Sequence, residues 1–311
     1  AKLSVGKVRY GLMLREDGLV MDDGTTARMS ENHFIMTTTT ANADSVYRHL
    51  EFCHQCLWPD MEVHLISTTD AWAQIAIAGP NSRKVISKII DPEFDISNEN
   101  FPFMACKEIS ICGGVVARLF RISFSGELAY ELSFPTQYAL SFVNYLMEIG
   151  KEENIIPYGT EALGVMRIEK GHAAGAELNG TTTALNLNMG KMVSDNKDSI
   201  GSVLSKREGL NQSDDLKLVG IKPINSSDQL ISGSHLFDLS SKVNSQNDLG
   251  YITSSCFSPT LGSYIALGFL RNGSNRYGEK IRVNNFLLKK EVLAEICNPI
   301  FVDPNGDKLR E

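Results

Sequence analysis

The stretch Asp17-Gly18-Leu19-Val20-Met21-Asp22-Asp23-Gly24 places two adjacent carboxylates after a glycine turn and leads into the β-prone run Thr25-Thr26-Ala27-Arg28-Met29. With a second turn signal at Glu31-Asn32, residues 8–39 are predicted to form three short strands joined by tight turns. An Asp-Asp pair beside a turn is ordinarily solvated or caps the turn. A carboxylate in that position can also meet a polar substrate, so both interpretations stay open at this point.

Strand and helix patterns alternate along the first two thirds of the chain. We predict helices over residues 42–57, 79–90, 140–149 and 161–169, and strands over residues 62–68, 72–78, 107–111 and 115–123. A Gly, Thr and Asn-rich irregular segment follows Gly171 and ends near Met192, and so long an irregular segment is more often functional than idle. The pattern indicates an α+β fold of antiparallel sheets with helices on one side.

The last third of the chain has a different pattern. From about Leu218 onward, short alternating strands separated by Gly and Pro turns predict a small β-barrel that forms a separate domain. The polar segment Ser205–Asp215 is the predicted joint. We therefore predict an α+β region over residues 1–205 and a C-terminal β-barrel domain over residues 206–311. A chain of 311 residues is long for one hydrophobic core, which agrees with this division.

The bulk composition excludes several classes of function. With 42% hydrophobic and 22% charged residues, the chain is that of an ordinary globular protein. A net charge of −7 without clustered Lys or Arg gives no reason to expect nucleic acid or an anionic membrane as a partner. No apolar run approaches the roughly 20 residues of a membrane helix, and no signal-peptide pattern opens the sequence. We therefore expect a cytoplasmic protein.

The cysteines and glycines give no sign of a metal or nucleotide site. Six scattered cysteines suit free thiols in a reducing compartment. Cys53-His54-Gln55-Cys56 has C-x-x-C spacing, but it lies in a helical pattern and no second C-x-x-C completes four ligands, so we expect core packing for Cys53 and no metal. No G-x-G-x-x-G or G-x-x-x-x-G-K-[ST] motif occurs, so the segment has no sequence basis for binding a dinucleotide or nucleotide phosphate.

Several segments of the sequence, taken in order, resemble the motifs of a known family. The Asp-Asp pair is followed, in order, by Arg121–Leu132, Met166–Gly171 and Phe257–Gly262. In this order they resemble the folate-dependent aminomethyltransferase family, the T-protein of the glycine cleavage system and its relatives. Longer segments resemble the C-terminal part of the α subunits of heterotetrameric sarcosine oxidases, nearly end to end. They comprise Tyr10–Gly18, Thr37–Asn42, Glu51–Cys53, Leu57–Pro59, Pro157–Gly164 and Glu177–Thr183.

The resemblance implies roles for particular residues. The first aspartate of the family's pair lies near the reactive nitrogens of tetrahydrofolate, which makes Asp22 the predicted catalytic residue and leaves Asp23 structural. Glu131 matches the family's glutamate that pairs with the pterin, whose N3 and 2-amino groups present two parallel N–H donors to a carboxylate. A solvent-facing strand glutamate is the alternative for Glu131. Phe124, which replaces a family tyrosine, and Tyr130 belong to the same predicted folate site.

A second phrase extends the predicted folate site. Phe257, Thr260 and Leu261 lie on what resembles the family loop over the folate pocket, although Pro259 and Gly262 are explicable as turn formers alone.

The sequence also departs from the family. Ala162 stands where family members have an arginine that contacts the folate, so this contact is absent or comes from elsewhere. Arg167 is predicted to form a structural ion pair with Glu169 or with a loop carboxylate, and His172 is interpreted as a loop residue rather than a site histidine. The chain begins in what resembles the middle of the first folate-domain unit, so we interpret it as a fragment of a longer polypeptide with a truncated start.

The function that the resemblance implies is tetrahydrofolate-dependent methylene transfer. In the oxidases, the folate site captures the carbon of an imine from sarcosine oxidation as 5,10-methylenetetrahydrofolate. The resemblance implies that other oxidase subunits are partners, and that FAD, FMN and NAD belong only to the full complex and not to this segment.

Two alternatives remain open. One is a free-standing aminomethyltransferase acting with a lipoyl carrier protein, which the oxidase-like phrases and Ala162 disfavour. The other is a non-catalytic folate-binding scaffold, as in relatives that serve iron–sulfur assembly. Those relatives carry a Lys-Gly-Cys-Tyr-x-Gly-Gln-Glu type of motif, and the corresponding stretch Glu169–Ala173 lacks its cysteine.

Overall fold

The computed structural model describes residues 3–212 and 214–311. The chain divides into two compact units. The first unit contains Asp22–Pro157, Gly306–Glu311 and the N-terminal residues through Gly11, and the second contains Leu12–Met21 and Tyr158–Asn305. The predicted division after residue 205 lies inside the second unit. Each unit is described by itself below.

The N-terminal part of the chain forms the predicted three-stranded sheet. Its strands are β1 (Lys7–Leu14), β2 (Val20–Arg28) and β3 (Phe34–Met36), in the order β1-β2-β3. The predicted turns lie between them, and Asp17 stabilises the first turn by accepting the Leu19 backbone N–H at 3.0 Å.

A four-stranded antiparallel sheet organises the rest of the first unit. Its strands are β4 (Trp72–Ala78), β5 (Cys106–Ile111), β6 (Val115–Phe120) and β7 (Ala129–Pro135), in the order β4-β7-β6-β5. Helices α2 (Ser82–Ser87) and α3 (Ala139–Ile149) contribute Ile86 and Phe142 to the core that covers one face. Because side chains alternate along a strand, the polar residues of β4, β6 and β7 share the opposite face. We call this second face the polar face, and its members are Trp72, Gln74, Arg118, Glu131 and Ser133.

Helix α1 (Ala43–Phe52) continues through a π-helical turn at Cys53–Leu57, which confirms the predicted helix.

Two other elements of the first unit differ from the sequence prediction. The strand predicted over residues 62–68 is wrong, because this segment pairs with no described strand and is held instead by the Tyr47 hydroxyl, which donates to the Leu65 carbonyl at 3.2 Å. The helix predicted over residues 79–90 is regular only at α2 and ends in turns.

The second unit contains the predicted barrel. Its six strands close in the order β10-β11-β8-β13-β12-β9. The strand bounds are β8 (Leu216–Pro223), β9 (His235–Asp238), β10 (Gly250–Ser258), β11 (Ser263–Arg271), β12 (Lys280–Asn285) and β13 (Lys290–Cys297). Alternating apolar residues such as Val219, Ile252 and Ile281 form one buried core.

A helix and an irregular segment pack beside the barrel strands within the second unit. Helix α4 (Thr160–Glu169) confirms the fourth predicted helix, and residues 171–192 are irregular, as predicted. Ile168 and Leu187 share a buried cluster with Leu267 and Phe269 of β11. The predicted joint Ser205–Asp215 contains short 3-10 turns, and its residue Ser213 lies outside the described residues. In the described part of the chain, no helix has both the length and the apolar character to cross a bilayer.

Candidate functional site

Asp22 is a fully buried carboxylate on β2 with fixed hydrogen-bond partners. The Thr39 backbone N–H donates to its Oδ2 at 2.9 Å, and Asn42 Nδ2 donates to its Oδ1 at 3.2 Å. These donors precede α1, so Asp22 also fixes the entry to this helix. A carboxylate has about four acceptor positions, so Asp22 keeps the capacity to accept a further donor from a bound molecule.

Gly24 allows the chain to bring these partners to Asp22. A Cβ atom at this position would lie 1.9 Å from the Thr37 carbonyl oxygen, so no larger residue fits without moving β3 and the segment after it. Gly24 therefore permits the close approach of β2 to the residues that follow β3.

Asp23 has a different environment from its neighbour, because adjacent strand residues point to opposite faces. The Tyr10 hydroxyl donates to Asp23 Oδ2 at 2.8 Å. Burial and the charge of Asp22 raise the pKa of Asp23, while the hydrogen bond from Tyr10 opposes this shift. The bond between β1 and β2 supports the structural role predicted for Asp23.

Glu131 lies on the polar face, where a short hydrogen-bond chain orients it. Gln74 Nε2 donates to Glu131 Oε2, and the Ser133 hydroxyl donates to Gln74 Oε1 at 2.9 Å. Burial raises the pKa of Glu131 to about 7, and the hydrogen bond from Gln74 opposes this rise. Glu131 Oε1 has no hydrogen-bond partner among the described residues. The carboxylate therefore offers one free oxygen beside a fixed amide.

Sequence reasoning missed Gln74 and Ser133. The alternation of polar and apolar residues along β4 signals that Gln74 leaves the core face. The pairing of Gln74 with Ser133 and of Ala76 with Glu131 comes from the register of β4 and β7, which no local pattern contains.

Tyr130, predicted to contact the folate, lies on the core face of the sheet. Its side chain is fully buried and stacks on Phe101 with ring centroids 6.5 Å apart. Arg83 Nε donates to the Tyr130 hydroxyl oxygen at 2.9 Å. Because residues 130 and 131 point to opposite faces of β7, a molecule held by Glu131 cannot touch the Tyr130 ring. We therefore correct the proposed role of Tyr130 from ligand contact to support of β7.

A Tyr130→Phe protein tests this correction. Removing the hydroxyl deletes one hydrogen bond in the core, so we expect the free energy of unfolding to fall by about 0.5–1.5 kcal/mol. Folate affinity should stay within about twofold, because the core face lies away from Glu131. Chemical denaturation and ligand titration measure the two quantities. Loss of affinity without loss of stability would restore Tyr130 to the binding site.

Phe124 lies in the loop between β6 and β7 that leads to Glu131. The residue is 40% exposed. The Ser123 hydroxyl accepts the Gly126 backbone N–H at 3.1 Å, and Lys308 pairs with Glu127 at 2.6 Å. The loop is thus held at both sides of Phe124, and contact of Phe124 with a ligand remains a prediction.

The other predicted contacts lie in the second unit, at the turn between β10 and β11. Phe257, Thr260 and Leu261 are exposed there. The buried Ser258 hydroxyl donates to Glu169 Oε1 and accepts the Leu261 backbone N–H at 3.1 Å. The turn is anchored and presents apolar side chains outward, and its part in a folate site remains a prediction.

The predicted structural ion pair of Arg167 is confirmed with a loop carboxylate. Arg167 Nη1 lies 2.9 Å from Glu177 Oε2, and Glu177 is fully buried. Glu177 also accepts the Ser254 hydroxyl at 2.7 Å, which ties the irregular segment to β10. His172 lies in the turn after α4, where its carbonyl accepts Arg167 Nη1 at 3.2 Å.

The described residues contain no group of three or more His, Cys, Asp or Glu arranged to hold a metal ion. In the C-x-x-C segment, Cys53 is buried and Cys56 is exposed, so the two thiols have different environments.

Two protein families together match almost the whole chain. Residues 1–197 match the family described as the GCVT N-terminal domain, and residues 217–303 match the glycine cleavage T-protein C-terminal barrel domain. The predicted domain division at 205/206 falls between the two matched ranges.

Curated relatives include oxidase subunits and aminomethyltransferases, both of them enzymes. The chain is 52% identical to sarcosine oxidase subunit alpha of Rhizobium meliloti (strain 1021), over 99% of this chain and 31% of that subunit. It is 38% identical to the corresponding subunit of Corynebacterium sp. (strain P-1), over 99% of this chain and 32% of that subunit. The chain thus spans about a third of the length of these relatives. The aminomethyltransferase of Chloroherpeton thalassium is 29% identical, over 90% of this chain and 73% of that protein.

A solved structure supports the fold. The glycine cleavage system aminomethyltransferase T from Bartonella henselae superposes with a TM-score of 0.81 over 98% of this chain and 78% of that one, at 21% identity. The similarity to sarcosine oxidase α subunits and to T-proteins that the sequence phrases predicted is confirmed. With the N-terminal family matched over 197 of 311 residues and its barrel domain matched after it, the chain belongs to the glycine cleavage T-protein family.

Proposed function

We propose that this chain binds tetrahydrofolate and catalyses transfer of a methylene unit to it, the carbon coming from an imine made by sarcosine oxidation in a larger complex. The observation that carries the proposal is the position and hydrogen bonding of the Glu131 carboxylate. Its carboxylate lies on the polar face with Oε2 held by Gln74 and Oε1 without a described partner. A carboxylate in this position can bind the N–H groups along one edge of a planar ring.

The chemistry of the site fits a pterin. The N3 and 2-amino groups of a pterin are parallel N–H donors, and one ionised carboxylate can accept both in a charge-assisted pair. The bond from Gln74 opposes protonation of Glu131, which keeps the acceptor form accessible near neutral pH. The aminomethyltransferase relatives support the transfer of a one-carbon unit, and the sarcosine oxidase relatives support sarcosine as the source of the imine.

Asp22 is the group that we assign to the chemical step. Bound tetrahydrofolate would supply two amine nitrogens as nucleophiles toward the imine carbon, and the bond from this carbon to the imine nitrogen would break as the original amine leaves. The Asp22 carboxylate can accept a proton at one of its oxygens or stabilise positive charge beside it. Its bonds from the Thr39 N–H and Asn42 fix its direction, so little reorganisation is needed during the reaction.

The remaining cofactors and partners belong to the larger assembly in this proposal. Other oxidase subunits would oxidise sarcosine with FAD and FMN, and NAD would bind outside this segment. The 52% identity to an oxidase α subunit favours this arrangement over a free-standing aminomethyltransferase. A cytoplasmic location remains the expectation.

Folinate binding tests the proposal directly. A ligand specific for the folded state raises stability by RT ln(1 + [L]/Kd), so folinate at a hundred times its Kd should add about 2.7 kcal/mol. Differential scanning calorimetry of the wild-type chain with and without folinate measures this rise. An unchanged melting temperature at millimolar folinate would contradict folate binding. In the complete oxidase, sarcosine with tetrahydrofolate should then yield 5,10-methylenetetrahydrofolate instead of free formaldehyde.

A further inference from the structure

Arg118 and Trp72 form a stacked pair on the polar face. The Arg118 Cζ atom lies 3.7 Å from the centre of the Trp72 ring. Arg118 is on β6 opposite Ser133, whereas Trp72 is on β4 opposite Pro135. The arginine side chain therefore reaches across β7 to the outer strand, and the indole supports one face of the guanidinium.

The guanidinium has no other partner in the part of the chain that the structure describes. Arg118 forms no hydrogen bond and no ion pair with any described residue, although Glu108 lies opposite it on β5. Its Nε atom is buried without a hydrogen-bond partner. An arginine remains charged even where burial lowers its pKa, as it does here. A stacked, partly buried guanidinium with unused N–H donors is suited to binding an anion that lies in the plane of the guanidinium.

The pair lies at the other end of the polar face from Glu131. Trp72 pairs with Pro135, four residues or about 13 Å along β7 from Glu131, whereas Arg118 pairs with Ser133, two residues or about 7 Å from Glu131, and extends its guanidinium to Trp72. At the Glu131 end, the neighbouring Phe120 is buried in a cluster with Val8 and Ala27. The face becomes open between these ends, where Gln74 is exposed. A polar path thus leads from the covered carboxylate to the stacked cation.

We propose that Arg118, supported by Trp72, is an anion subsite for the glutamyl carboxylates of the bound folate. This inference rests on the proposed function. A folate carries its pterin donors and its carboxylates at opposite ends of an extended molecule, and the polar face offers a carboxylate at one end and a guanidinium at the other. The reverse orientation would place the ligand carboxylates against Glu131, where like charges repel. Arg118 therefore also sets the direction in which folate binds.

The experiment compares two ligands on matched variants. Arg118→Met keeps an apolar stem on Trp72 but removes the charge, and Arg48→Met removes an exposed arginine of α1 as a control for net charge. The probes are folinate and a tetrahydropterin without carboxylates, measured by isothermal titration. We expect Arg118→Met to weaken folinate about tenfold to hundredfold and to change pterin binding less than about twofold. Arg118→Lys should restore part of the folinate affinity.

A second measurement needs no variant. The wild-type protein should bind folinate about tenfold or more tightly than its analogue with both glutamyl carboxylates amidated. Equal affinity for these two ligands, or equal weakening of folinate and pterin by Arg118→Met, would overturn the subsite and leave the proposed function standing. Absence of any folate or pterin binding by the wild-type protein would overturn both.

Discussion

Replacing Asp22 by Asn is expected to slow methylene capture by about a hundredfold or more, with a much smaller effect on folate affinity. The amide has nearly the size of the carboxylate but lacks the charge that accepts a proton or stabilises a developing cation. The rate of 5,10-methylenetetrahydrofolate formation from sarcosine, measured in the complete oxidase complex, tests this expectation. A rate within about twofold of wild type would assign Asp22 to the turn alone.

The structure defines the controls for this substitution. Both Asp22 oxygens accept donors, from the Thr39 N–H and from Asn42, so an Asn amide group would face one donor with another. We expect a loss of about 1–3 kcal/mol in unfolding free energy, and the assay must run well below the melting temperature. Asp23→Asn is the matched variant. It should have the smaller kinetic effect, and the reverse ranking would show that the other member of the pair is catalytic.

Replacing Glu131 by Gln is expected to weaken folate binding by about a hundredfold. A neutral amide can accept only one of the two pterin donors with its oxygen and presents its own N–H groups to the other. Titration of folinate into the wild-type and Glu131→Gln proteins measures the difference. Glu99→Gln is the matched control, because this exposed glutamate lies in the segment between α2 and β5 and has no hydrogen bond or ion pair with Glu131 or Arg118.

The pH dependence gives a second signature of Glu131. Because the pKa of this carboxyl is raised to about 7, wild-type folate affinity should increase as pH rises through 7 and then level off. The folded protein holds this proton more tightly than the unfolded chain, so the stability of the free protein should fall as pH rises from about 4.5 to about 7. Glu131→Gln should remove both slopes. If Glu131→Gln binds folate as tightly as wild type, Glu131 does not correspond to the family's pterin-binding glutamate.

Local patterns predicted most of the secondary structure. The three N-terminal strands, helices α1, α3 and α4, and the barrel all follow from periodicity and turn residues within short windows. The strand predicted over residues 62–68 failed because a strand needs a partner edge. Its alternation of residue types is compatible with pairing, but the fold places no described strand beside it. A local pattern therefore states what a segment can form, and its neighbours decide what it does form.

The sequence phrases alone determined the family, the α+β and barrel plan, and the choice of Asp22 and Glu131 as candidates, because these depend on residue types in order along the chain. Only the tertiary structure separated Tyr130 from Glu131 by sheet face, joined Gln74 to Ser133 across 59 residues, and stacked Arg118 on Trp72. The physical reason is strand register. Which side chains meet on a sheet depends on pairing between distant segments, and a shift of one residue would place a different set on the polar face.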